Sequence, residues 1–213
     1  MNLPAPPPIL LTAFEPFHGA TINASREVGE RIAAGDSRVT FVVLPVIRGE
    51  AEDAALRALR AMADDDNRPG FMISLGEAPC AEVRLEKVAI NWDDFRIPDN
   101  AGNQPRDEAI NAGGPDAHFV TLPVARLAAA LCGRTPVPVV VSLSAGSFLC
   151  NHLAYCALDA LAADSLCPYG FVHVPAVRPG DPTDGRPDLD AITITVRQIL
   201  DAAAAHGLPG SDP

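Results

Sequence analysis

Residues Val137 to Leu161 constrain the fold of this 213-residue chain more than any other stretch. The β-branched run Val137 to Val141 reads as a buried strand. The small residues Ser144, Ala145 and Gly146 then allow a sharp turn. Beyond them Phe148, Leu149, Leu153, Ala157, Leu158 and Leu161 recur at helical spacing, so a helix follows the strand almost at once. Cys150 falls in the first turn or so of that helix. Unpaired backbone N–H groups and the positive end of the helix dipole favour a thiolate there. The same position also suits a small buried hydrophobe, which is what most free cysteines are.

The rest of the chain repeats the alternation of strand and helix. Ile9 to Ala13, Val39 to Val46 and Gly70 to Leu75 read as strands, as do Val83 to Ile90 and Gly170 to Val174. Helices are expected from an Asn23 or Ser25 cap to about Ala34, from Glu50 to about Ala63, over Val124 to Leu131 and over Asp188 to His206. Between them lie turn-rich loops: Phe14 to Asn23, Gly76 to Glu82 and Ala176 to Pro187, with a solvated turn at Asp64 to Asp66. The longest, Asn91 to Pro115, is rich in Gly, Pro, Asn and Asp, and a loop of that length in a compact domain is functional or mobile. No repeat or linker divides the chain. The expectation is one α/β domain over residues 1–213, with a mostly parallel sheet covered on both faces. Met1 to Pro8 and Gly207 to Pro213 read as frayed tails.

Composition narrows the class of function. Nearly half of the residues are apolar, enough for a sizeable core. The five cysteines include no C-x-x-C pair, which argues against a disulfide framework or a structural zinc site and fits a reducing cytoplasm. The N-terminus is uncharged and proline-rich, unlike a signal peptide, and no apolar run spans a bilayer. A formal charge of −11 opposes nucleic acid and anionic membrane as partners.

Sheets of this kind bind ligands beyond the C-terminal ends of their strands. Cys150 meets that expectation, and His173 lies near the end of another strand, in GFVHVP. A cysteine nucleophile needs an imidazole partner, and the imidazole needs a group that holds its tautomer. His173 alone also reads as a satisfied core histidine. Glu86 sits inside an apolar run, where an acid is costly unless it is paired or turned to solvent. His18 and His118 lie in loop contexts, His206 near the tail. His152 is two residues from Cys150 on the helix and so points elsewhere. Phe14 and Phe17 are aromatics in a loop after the first strand, where they either bound a pocket or pack beneath the loop.

The stretch SLSAGSFLCNHLAY resembles the nucleophile segment of type I pyroglutamyl peptidases, also called pyrrolidone-carboxylate peptidases. LLTAFEPFHGATINAS, LEKVAINWDDFRIPDNAGNQP, AGGPDAHFVTLP and GFVHVP resemble the same family in the same order, from about Ile9 to Pro175. The resemblance implies a three-layer α/β/α fold with a mostly parallel twisted sheet, no cofactor and no metal, a cytoplasmic location and a homo-oligomer, tetramer or dimer. It implies removal of an N-terminal pyroglutamate from peptides, with Cys150 as nucleophile, His173 as general acid/base and Glu86 orienting the imidazole. It places the Phe14–Phe17 loop against the pyroglutamyl ring, with backbone groups near Glu77 available to the lactam. Arg96 matches the arginine of the family's A-R-I-P-D-N-like run, where it either assists an oxyanion or pairs with Asp93, Asp94 or Asp99.

The chain departs from the family pattern in several places. His18-Gly19 stands for Gly-Gly, Asn23-Ala24 for Asn-Pro, Glu77 for a usual Gln and Arg84 for Ser or Thr. The stretch from Gly76 to Glu86 is one residue shorter, and Ala176 to Pro187 is different. None of these touches Cys150, His173 or Glu86, but all bear on the pocket. The alternatives are therefore a catalytically silent homologue, or a cysteine amidohydrolase with a different acyl specificity.

Overall fold

Six buried residues in a row, Ile9–Phe14, form strand β1, which is covered on both faces as a central strand must be. In the computed structural model, which describes residues 6–64, 67–164, 167–177 and 187–206, the elements follow in alternation. They are α1 (Ala24–Gly35), β2 (Val39–Leu44), α2 (Glu50–Asp64), β3 (Phe71–Ala78), β4 (Val83–Glu86), β5 (Val88–Ile90) and β6 (Ala117–Phe119). After these come α3 (Val124–Leu131), β7 (Val139–Ser142), α4 (Leu149–Asp164), β8 (Tyr169–Pro175) and α5 (Leu189–His206). One sheet runs β2-β1-β3-β8-β4-β7, and β5 and β6 form a separate antiparallel pair.

The sheet is parallel except where β4 meets β8. Helix α5 packs against α1 and α3, and α2 packs against α4, so helices cover both faces and give the expected three layers. Asn23 caps α1 by accepting from the Ser25 N–H at 3.0 Å and the Ser25 hydroxyl at 2.7 Å.

Three readings of the sequence need correction. The run Val137 to Val141 is not a buried strand: β7 begins at Val139 on the edge of the sheet, and Val140 and Val141 are exposed there. Val83 to Ile90 is not one strand but two, β4 and β5. Lys87 turns the chain between sheets: its N–H donates to the Ser142 carbonyl beside β4, and its carbonyl accepts from Val120 beside β6. The expected loop from Gly76 is instead the continuation of β3, which pairs with β8 as far as Ala78↔Pro175. Pairing of β3 with β1 stops at Leu75, so the last residues of β3 leave the sheet's ladder open on that side. The short strand β6 had no counterpart in the sequence reading.

The 91–115 segment has no helix, yet it is tied down throughout. Asp93 exchanges backbone hydrogen bonds with Glu108, and Asn91 and Phe95 are held by Asp116 and Pro105. Asp99 accepts from the N–H groups of Arg48, Ala101 and Asn103. Burial pushes its carboxyl up, but those donors hold it below the usual carboxylate range. Residues 1–5 and 207–213, two residues of the Asp64–Asp66 turn and 178–186 of the Ala176–Pro187 loop lie outside the described residues. No helix among the described residues is long and apolar enough to cross a membrane.

Candidate active site

Cys150 is the second residue of α4, half-buried at the point where the chain leaves β7. Gly146 turns the chain there with φ of +81°, a conformation that L side chains rarely adopt. Ser147 fixes the turn, since its hydroxyl donates to the Asp94 carbonyl at 2.9 Å while its own carbonyl accepts from the Asp94 N–H at 3.1 Å. The first backbone hydrogen bond of α4 runs from the His152 N–H back to the Phe148 carbonyl, so the N–H groups of Leu149, Cys150 and Asn151 precede the helical ladder. The Asn151 side chain anchors the helix by accepting from Ile90 N and donating to the carbonyls of Ile90 and Trp92.

His173 comes from β8 and Glu86 from β4. In the antiparallel register Glu86 lies opposite Phe171, so it shares a face with His173 two residues on and reaches it diagonally. The carboxylate Oε1 is 2.7 Å from His173 Nδ1, and both groups are buried. The Cys150 side chain hydrogen-bonds the same imidazole, which leaves Nε2 as the nitrogen facing sulfur. Burial of the ring opposes its charge, but Cys150 and Glu86 outweigh that and raise its pKa from 6.5 to about 9.

Gly76 lies beneath the thiol. A Cβ built there would stand 2.9 Å from Cys150 Sγ and 2.9 Å from Phe171 Cζ, so any side chain must displace one of them. The signal in the sequence is a glycine at the end of an apolar run, whose composition is also that of a loop.

Above Cys150 and His173 opens a cavity of about 480 Å³. All four pocket residues expected from sequence line it, Phe14, Phe17, Glu77 and Arg96, but Phe14 is the buried last residue of β1 rather than a loop residue. Phe148 joins them, with its ring centroid 6.1 Å from Phe17 and 4.6 Å from Phe95. It was counted only as part of the helix stripe. Glu77 Oε2 accepts from the Ala24 N–H at 2.7 Å, tying the end of β3 to the start of α1. The three carboxylates offered as partners for Arg96 are engaged elsewhere: Asp93 with Arg48, Asp94 with Arg106, Asp99 with backbone amides and Asn103. Arg96 faces the cavity.

A second cysteine–histidine–carboxylate cluster lies farther along α4. His152 Nδ1 is 2.8 Å from Asp93 Oδ2, its Nε2 is 2.8 Å from Glu52 Oε1, and Cys156 Sγ is 3.7 Å from Nε2. With a carboxylate on each nitrogen, this ring has no free lone pair to take a proton from a thiol. His173 has one carboxylate and turns its other nitrogen to Cys150. His118, expected in a loop, is on β6 and pairs with Asp159 at 3.1 Å.

The chain matches the family model described as pyroglutamyl peptidase over residues 8–206. A pyrrolidone-carboxylate peptidase of Streptomyces coelicolor is 42% identical over 205 residues, covering 92% of this chain and 91% of the relative. One from Clavibacter michiganensis is 45% identical over 175 residues, 79% of this chain and 78% of the relative. Among solved structures, pyroglutamyl peptidase I of Bacillus amyloliquefaciens superposes with a TM-score of 0.81 at 35% identity, covering 94% of this chain and 98% of that one. A variant pyrrolidone carboxyl peptidase from P. furiosus gives a TM-score of 0.81 at 29% identity, covering 93% and 98%.

Proposed function

The chain belongs to the pyroglutamyl peptidase family of cysteine peptidases, and from that premise we propose that Cys150, His173 and Glu86 carry out its hydrolysis of N-terminal pyroglutamyl peptides. The observation that carries this assignment is the placement of His173 between the Cys150 thiol and the Glu86 carboxylate on the floor of a single cavity. The thiolate of Cys150 attacks the pyroglutamyl carbonyl, and the new oxyanion meets N–H groups of the first turn of α4, with Arg96 at the rim. The imidazolium of His173 gives its proton to the leaving amine, which departs and leaves a thioester on Cys150. His173 then takes a proton from water as the water attacks the thioester, and pyroglutamate leaves as the thiolate is restored beside the imidazolium. Glu86 touches no reacting atom. It positions the ring and stabilises its charge.

Phe14, Phe17 and Phe148 offer apolar faces suited to a flat, uncharged lactam ring, and the backbone of β3 around Glu77, outside the β1 ladder, offers groups for its N–H and C=O. The substrate is then a peptide with N-terminal pyroglutamate. A homo-oligomer is supported by exposed apolar residues at the sheet's β7 edge, Leu143 at 72%, and on the neighbouring pair, Phe119 at 69%. A sedimentation mass of one chain excludes it. A cytoplasmic location is supported by the five cysteines, all free thiols.

A panel of N-terminally blocked aminoacyl-coumarin substrates tests the activity. Turnover with pyroglutamyl alone is expected, and Cys150→Ala abolishes it while the protein stays folded. Turnover with a different acyl group, or wild-type turnover by Cys150→Ala, overturns the assignment.

A further inference from the structure

We propose that Glu52, His152 and Cys156 form a second site, apart from Cys150, that binds one divalent transition-metal ion of the zinc type. One oxygen of Glu52, Nε2 of His152 and Sγ of Cys156 lie within 4.8 Å of one another. Zinc bonds of about 2.0–2.3 Å set tetrahedral ligand atoms about 3.5 Å apart. The sulfur and Nε2, one helical turn apart on α4, already stand at 3.7 Å. Glu52 on α2 has only to move back from its 2.8 Å contact with Nε2 to admit an ion. Its other oxygen, Oε2, is buried with no hydrogen-bond partner, so the carboxylate has an acceptor to spare.

The shell behind these ligands suits a metal as well. Asp93 is fully buried and accepts from His152 Nδ1 at 2.8 Å, which fixes the ring and directs Nε2 away from Asp93. Carboxylate–imidazole–metal arrangements have this form. Arg48 holds Asp93 in turn, with Nε 2.8 Å from Oδ2. Outside the ligands is a polar hollow of about 540 Å³, bordered by Arg48, Asn103, Gln104 and Glu108, with space for water in the fourth position. A nitrogen, sulfur and oxygen donor set favours zinc-type ions over magnesium or calcium.

Binding balances in protons. Without metal, His152 lies between two carboxylates, with Asp93 on Nδ1 and Glu52 on Nε2. The ion takes the place of the proton on Nε2 and of any proton on Sγ, and both leave to solvent. No electron transfer is involved. Affinity therefore falls as pH falls.

The test uses full-length protein carrying Cys150→Ala, because the Cys150–His173 pair is itself a thiol–imidazole that takes zinc. Titration with cobalt(II) is expected to saturate at one equivalent with a thiolate-to-cobalt charge-transfer band in the near ultraviolet. Zinc is expected to displace the cobalt, releasing no further protons. Adding Cys156→Ser removes the band and weakens zinc binding by about 100-fold or more, on the scale of outer-shell losses and beyond. Glu52→Gln, which leaves the helix and its thiol in place, weakens it too. If the Cys150→Ala protein gives no thiolate band with cobalt at micromolar concentration, or gives the same band with Cys156→Ser added, the site does not exist. Peptidase activity enters neither readout, so the outcome is independent of the catalytic assignment.

Discussion

His173 carries the pH dependence of the catalytic centre, because the groups around it stabilise one protonation state. Burial disfavours its charge, yet Cys150 and Glu86 raise its pKa from 6.5 to about 9. The stabilisation this gives the fold is complete below about 6.5 and is lost as pH rises through about 9. In the proposed mechanism the same proton serves the leaving amine, so kcat/KM is expected to fall on the alkaline side with a midpoint near 9. Glu86→Gln keeps the size and one acceptor but loses the charge. Its midpoint should move down and kcat should fall by about 100-fold, with KM nearly unchanged, because the interaction strengthens only as charge develops. Steady-state kinetics across pH checks both points, and unaltered kcat/KM at every pH removes Glu86 from the site. All three residues were legible singly: Cys150 from its place at a helix start, His173 from a strand end, Glu86 from a charge in an apolar run. Their meeting was not legible, because Glu86 and His173 are 87 residues apart and join only through the strand pairing.

At the scale of elements, the parallel β4–β7 and antiparallel β4–β8 pairings meet on one strand and bring the centre together. Local patterning reports that a segment is a strand, and it did so for the core strands. It does not report direction, nor where a strand passes from one sheet to another, as at Lys87. The overlooked end of β3 has a similar cause. Gly76 and Glu77 have turn-like composition, but a side chain at the glycine would collide with the Cys150 thiol. Gly76→Ala therefore tests how β3 supports α4. Its Cβ must displace either Cys150 Sγ or the Phe171 ring, and a misplacement of about 1 Å costs about 100-fold in rate. We expect kcat to fall on that scale while the overpacking destabilises by about 1–3 kcal/mol. Wild-type kcat in a folded Gly76→Ala enzyme means that the thiol does not rest on β3.

On the scale of the whole molecule, loops from four regions converge on one cavity: the β1–α1 loop with Phe17, the end of β3, the 91–115 segment with Arg96, and the start of α4. Each is anchored to another, β3 to α1 through Glu77 and the 91–115 segment to α4 through Ser147 and Asn151. The pocket is thus formed before substrate arrives, and its selectivity comes from what it leaves unpaired. Phenylalanine walls with Arg84 and Arg96 at the margin suit a neutral ring and disfavour a charged amine. Proline has the ring but lacks the lactam carbonyl and carries that charge. Open-chain glutamate brings its own charges in against the phenylalanine walls. A site that hydrogen-bonds a polar group rejects an analogue lacking it by about 10⁴-fold or more, so kcat/KM for pyroglutamyl over prolyl substrates should reach that ratio. Phe17 is only partly buried, packed against the margin of the core with its ring centroid 6.1 Å from that of Phe148. Phe17→Ala should therefore raise KM for pyroglutamyl substrates by about tenfold, with little loss of thermal stability. Kinetics on the paired substrates and a melting curve decide it: comparable kcat/KM for prolyl and pyroglutamyl substrates would remove the lactam pocket and leave the Cys150 chemistry standing.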